Sequence, residues 1–208
     1  GPLPLRWQLL LGSSLGIGCT SILVLLLGLC GVFQRTVWIV LLAIMAAVGL
    51  ARLYRVLPSP ASGHCTTGSP ETEQKVDHVH YFWLLVVPFV FLAILAATYP
   101  AGFVWPEEGF GYDILEYHLQ VPKEYLSRGR IVYLPHNVYA NFPANVEMLY
   151  LLAMIVVGDV RDVGTVANCI HLSLAALSVF AVWVAGCEHS RRVGALAAVV
   201  MATSGWLP

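Results

Sequence analysis

The chain has 208 residues and a formal net charge of −1, with 58% hydrophobic and only 11% charged residues. An ordinary globular domain carries roughly 25% charged residues, so this composition argues against a soluble single-core protein, and the scattered basic residues offer no face for nucleic acid. It is the composition of a membrane protein. The five cysteines, Cys19, Cys30, Cys65, Cys169 and Cys187, are irregularly spaced. Four of them lie in or beside apolar runs, where free cysteine behaves as a small hydrophobe, so no disulfide framework is expected.

A membrane-crossing helix needs about 20 mainly apolar residues. Taken in chain order, residues 8–33 meet that length and read as a retained span rather than a signal segment. Residues 37–54 form a second, ending on Arg52, Tyr54 and Arg55, whose long or amphipathic side chains reach an interface. The short connection at 34–36 predicts an antiparallel hairpin, so residues 1–55 are read as an N-terminal transmembrane hairpin. Residues 56–80, "VLPSPASGHCTTGSPETEQKVDHVH", have no apolar periodicity and read as a flexible polar linker. Within this linker Cys65, His78 and His80 fit no zinc-ligand spacing.

A third span is expected at 81–99, followed by a long polar segment at 100–142, a short fourth span at 143–158, a fifth at 163–186 and a sixth from about 193. Small residues on the last two (Gly164, Ala167, Ala175, Ala176, Gly194, Ala195, Ala197, Ala198) would let those helices approach closely. The fold class expected is all-α: a polytopic transmembrane helical bundle of about six spans, with short interfacial helices in one polar loop, which the resemblance described below implies is extracytoplasmic. The chain begins Gly-Pro and stops at "MATSGWLP", so 81–208 is expected to be an incomplete transmembrane core. With this topology, five basic residues fall on one side and six on the other, and charge counting leaves the orientation open.

The polar segment holds "GYDILEYHLQVPKEYLSRGR" at 111–130. Asp113 stands where a helix N-cap would, and Ile114, Tyr117, His118, Val121 and Tyr125 recur at helical spacing. Pro122 ends that helix or restarts a second in its first turn. One or two amphipathic helices on the membrane surface are expected, with Glu116, Tyr117 and Gln120 able to share a polar face with Asp113. "YANFPANVEMLY" then leads into the fourth span, with Arg130, His136, Asn137, Asn141 and Glu147 near the boundary.

An apolar helix, then Asp-x-x-x-Tyr-His at 113–118, then the "FPANVEMLY" entry to the next apolar run resembles the first extracytoplasmic loop of the GT-C superfamily of membrane glycosyltransferases. The likeness is to the branch of the protein mannosyltransferases and lipid A aminoarabinose transferases, and it covers roughly 80 to 130 residues. It implies transfer of a sugar from a polyprenyl-phosphate-linked donor in the lipid bilayer to a glycan, lipid or protein acceptor, with inversion, outside a bacterial cytoplasmic membrane. Asp113 then maps to the family's acidic residue, which deprotonates or binds the acceptor, and Glu116 stands three residues on where an adjacent Asp-Glu pair is usual. Tyr117, His118, Lys123, Arg128, Arg130, His136 and Glu147 become substrate-binding candidates, the cations serving the departing phosphate. The pattern points to no cofactor, with a divalent metal left open, and to no protein metal site.

Each candidate has a plainer reading beside it. Asp113 could serve only as a helix cap, Glu116 as a solvated face, the tyrosines as an interfacial belt, and Lys123, Arg128 and Arg130 as contacts to anionic headgroups. His171 falls within the fifth span, where an ionisable side chain is a functional suspect, though a hydrogen bond to a neighbouring helix would also account for it. The competing class is a non-enzymatic polytopic protein, a transporter or assembly subunit with a lid or docking loop. A transporter calls for ionisable groups or broken helices at mid-membrane, whereas here the polar groups gather at one interface.

Overall fold

The computed structural model describes residues 3–56, 78–99, 113–141, 144–158 and 160–204. These residues are all-helical and contain no strand. In order they form α1 (Leu5–Leu29), α2 (Arg35–Val56), a 3₁₀ helix (His78–Leu85) running into α3 (Val87–Thr98), a π-helical turn (Ile114–His118), α4 (Gln120–Arg128), a second 3₁₀ turn (Val138–Asn141), α5 (Asn145–Val157), α6 (Val160–Gly186) and α7 (Arg191–Thr203). Most of the 56–80 linker, with Cys65, lies outside the described residues, as do residues 100–112.

Polar contacts at the two ends set the direction of the long helices. At the near end, where α1 starts, Arg6 Nη2 and Trp7 Nε1 donate to Glu188 Oε1 just beyond α6, at 2.7 and 2.8 Å. At the far end, Asn168 Nδ2 in α6 donates to the carbonyl of Tyr99, which closes α3, at 2.9 Å. Thus α1 and α3 run from near to far, α6 returns, and the whole stretch from Tyr99 to the start of α6 begins and ends at the far end.

Among the described residues, four stretches are long and apolar enough to cross a membrane, Leu5–Leu29, Arg35–Arg55, Tyr81–Thr98 and Val163–Gly186, so the expected count of about six is not confirmed. The expected fourth span is α5, whose 13 residues extend only about 20 Å against a hydrocarbon core of about 30 Å. Its first residue lies beside α1 at Ser21, whose hydroxyl donates to the Asn145 carbonyl, about two turns short of the end of α1. Its last turn comes back to the far end, where a Cβ built on Gly158 would stand 3.8 Å from Arg35 Nη1 at the start of α2. Helix α5 therefore starts within the bundle and leaves through the same end. The expected sixth span, α7, also has 13 residues as described, below the length of a crossing. Sequence reading missed this because apolar composition records burial, and a helix buried against protein looks like one buried in lipid.

Helices α1 and α2 each pack on α5 rather than along the other. Their shared core combines Val24 of α1, Trp38 of α2, Val121 and Tyr125 of α4, Ile131 and Leu134 after it, and Met148, Leu151, Leu152 and Ile155 of α5. The turn between α1 and α2 is pinned by Trp38 Nε1, which donates to the Val32 carbonyl at 2.8 Å. The segment after α4 docks on that turn: Ile131 N donates to the Gly28 carbonyl at 2.9 Å. A Cβ on Gly28 would come within 2.6 Å of Ile131 Cδ1, so the absence of a side chain there permits the approach. At the near end, α7 packs on α6 and on the 3₁₀ entry to α3, with Val86, Val199 and Ala202 buried together. Ser190 caps α7 by accepting from Val193 N at 3.1 Å.

Candidate functional site

The far end collects the polar residues. Pro122 shapes it locally: lacking an N–H, it cannot bond to the His118 carbonyl, and its ring crowds that carbonyl. The chain answers with a π turn over Ile114–His118 and a new helix, α4, in whose first turn Lys123 N donates to the Leu119 carbonyl at 3.1 Å. Of the one or two helices expected, two short helical pieces occur, parted at Leu119, with Pro122 in the first turn of the second. Isolated π turns are rare and recur at functional sites. Helix α4 ends at Gly129, φ 69°, where Arg130 N and Gly129 N donate back to Tyr125 and Leu126. This is a Schellman closure, which needs the left-handed residue.

Asp113 is exposed, and its carboxylate makes no hydrogen bond among the described residues. The expected capping role is not seen. Its charge is felt by Tyr117, whose phenol is pushed up by burial, then by Asp113, Glu147 and Tyr139, and so stays a protonated donor at neutral pH. Tyr117 lies against the His118 ring, centroids 4.1 Å apart, and stacks on Tyr139 at 5.0 Å.

Two acid–histidine pairs flank this aromatic group. In the first, His118 Nδ1 and Glu147 Oε1 are 2.6 Å apart. The Glu147 side chain is 10% exposed and that of His118 36%. Glu147 lies in the first turn of α5, where the helix dipole favours an anion. In the second, Glu124 receives His136 Nε2 at 2.9 Å, Gln120 Nε2 at 3.2 Å and Arg128 Nη2 at 3.9 Å. Burial raises the Glu124 carboxyl, but the hydrogen bonds from His136 and Gln120, with the charges of His136 and Arg128, outweigh it and leave the group below its usual range.

Beside the second pair opens a cavity of about 350 Å³ lined by Glu116, Gln120, Glu124, His136, Asn137, Val138 and Tyr139. Asn137 is buried and braces the wall, donating from Nδ2 to the Glu116 carbonyl at 2.8 Å and accepting from Tyr139 N at 3.1 Å.

Of the residues singled out in the sequence, Tyr117, His118 and Glu147 come together with Asp113 nearby, and Glu116 and His136 share the cavity. Lys123, Arg128 and Arg130 are exposed and do not line it. Glu124 and Gln120 were not among the chosen site residues. Their row Gln120–Glu124–Arg128 is legible as an i,i+4 series, but the His136 contact comes from the tertiary fold. His171 is exposed on α6 without a hydrogen bond among the described residues. No group of three or more potential metal ligands occurs among the described residues.

Because the folded state lowers the Glu124 pKa, its contribution to stability is full above the unfolded value, near 4.5, and is lost as pH falls through the lower folded value. We expect protease resistance of the 113–141 segment to decline from about pH 4.5 downward, and this dependence to be flattened in Glu124→Gln. An unchanged acid profile in that variant would remove Glu124 from the account.

Four apolar helices of membrane length, with the polar groups gathered at one end, define an integral membrane protein. Comparisons with family models, with curated proteins and with solved structures found no match for this chain.

Proposed function

We propose that this chain is the N-terminal part of an integral-membrane glycosyltransferase of the GT-C type, moving a sugar from a polyprenyl-phosphate carrier to an extracytoplasmic acceptor. The observation that carries the reading is the placement of Asp113. An exposed carboxylate with no hydrogen-bonding partner among the described residues opens a short helical turn between two antiparallel stretches of membrane length, Tyr81–Thr98 and α6. A carboxylate whose capping role is absent is available to a substrate. The cavity nearby has room for a sugar and is walled by hydrogen-bonding side chains and a tyrosine, and the apolar flanks of α1 and α3 offer a lipid-facing approach for a polyprenyl chain.

The side of the membrane rests on the family resemblance. Arg6, Arg191 and Arg192 stand at the near end, and Arg35, Lys123, Arg128 and Arg130 at the far end. Charge stays balanced. The test of orientation is Ser127→Cys, an exposed position on α4, labelled in intact cells by a membrane-impermeant maleimide. Labelling only after permeabilisation would overturn the extracytoplasmic assignment. The test of activity is loss of label from radiolabelled polyprenyl-phosphate pentoses and hexoses in membranes carrying the full-length protein. No transfer from any of them would sink the reading.

A further inference from the structure

Resting on that reading of the site, we propose that the proton of the acceptor is taken by His118 Nε2, with Glu147 as its positioning residue and Asp113 left to bind the acceptor. The argument is geometric. Glu147 is held in place twice, by burial and by its seat in the first turn of α5, and it meets one ring nitrogen of His118 at 2.6 Å. With the negative charge on Glu147 favoured by the helix field, the shared proton sits on Nδ1. The lone pair then sits on Nε2, which makes no hydrogen bond among the described residues. A base whose other nitrogen is fixed by a buried carboxylate is the arrangement that nucleophile-activating histidines use. The ring is a third exposed, and its face is set by Tyr117, itself stacked on the cavity residue Tyr139. The charged and titratable groups around it are Glu147 from α5, Tyr117 from its own turn, Tyr139 from the second 3₁₀ turn, and Asp113 through Tyr117. Neither Lys123 nor Arg130 enters this group.

The step balances within the proposed reaction. The acceptor oxygen forms its bond to the anomeric carbon while the bond from that carbon to the carrier's phosphate oxygen breaks. The electron pair leaves with the phosphate, and the acceptor's hydroxyl proton moves to Nε2. Glu147 then balances the imidazolium. Asp113, free of other hydrogen bonds, holds the hydroxyl until the proton leaves.

The experiment measures transfer with radiolabelled polyprenyl-phosphate sugars and the full-length protein in membranes. His118→Ala should lose about 10²- to 10⁴-fold in kcat and recover part of it with added imidazole. Glu147→Gln should lose a comparable factor with KM nearly unchanged, because an amide can donate to Nδ1 and place the proton on Nε2. A folded His118→Ala protein with unaltered rate, or one whose lost rate added imidazole does not restore in any part, would overturn the assignment while leaving sugar transfer standing. A wild-type protein that transfers nothing would instead defeat the functional reading itself, and the base assignment with it.

Discussion

Asp113→Asn in the full-length protein is expected to reduce sugar transfer by about 10- to 100-fold, the loss of a charge-assisted hydrogen bond to the acceptor of about 1.5 to 3 kcal/mol, and to leave thermal stability in detergent unchanged. The carboxylate is exposed and makes no hydrogen bond among the described residues, so replacing it by an amide of equal size removes no hydrogen bond among them. Had it capped the helix, its loss would be expected to appear as about 1 kcal/mol of stability. Rate and stability therefore respond to different roles and can be measured on the same purified variant. A stable Asp113→Asn protein with unimpaired transfer would leave this residue without a function. Glu116→Gln should have the smaller effect, because the contact drawn from Glu116 is its backbone carbonyl, held by Asn137, and that survives the change.

The largest expected loss of stability comes from adding one methyl group at the near end. A Cβ at Gly186 would fall 2.7 Å from Gly194 Cα and 3.0 Å from Gly194 N, so α6 and α7 touch there backbone to backbone. No side chain can swing aside to make room. Gly186→Ala should cost about 1 to 3 kcal/mol, the usual range for overpacking, and lie toward the upper end because the obstacle is main chain. The same substitution at Gly12, where nothing stands within 4 Å, should gain up to about 1 kcal/mol from helix propensity. Thermal unfolding of the two variants in one detergent compares them directly. Equal and small effects at both positions would mean that α6 and α7 do not meet as closely as described.

What was legible in the sequence follows from which forces act locally. Length and apolarity disclose α1, α2, α3 and α6, because a membrane crossing demands a long uniform run. The same criterion misleads at α5, whose residues are apolar because they meet Val24, Trp38 and Tyr125. The small residues of the last two expected spans, Gly194 among them, signal the close approach of α6 and α7, but Gly28 and Gly186 read like Gly12 and Gly16, and only the neighbours separate them. Within the site, the spacing of residues 113–118 signals a polar cluster, and Pro122 signals a break. The pairing of His118 with Glu147, 29 residues apart, and of Glu124 with His136 depends on how α5 and the second 3₁₀ turn return to α4. No local pattern encodes that return.

The docking of α5 against Ser21 also sets an order of assembly. Ser21 and Asn145 are separated by 124 residues, so at a synthesis rate of 5 to 20 residues per second the hairpin waits roughly 6 to 25 s for its partner. During that interval, the faces of α1 and α2 that carry Val24 and Trp38 have only lipid or assembly factors to cover them. The carboxylates and histidines of the far end meet only after both arrive at a surface built earlier. A nascent chain is thus inserted before it is competent, and the chemistry of this end, whatever its substrate, is withheld until the membrane portion that carries it has been laid down.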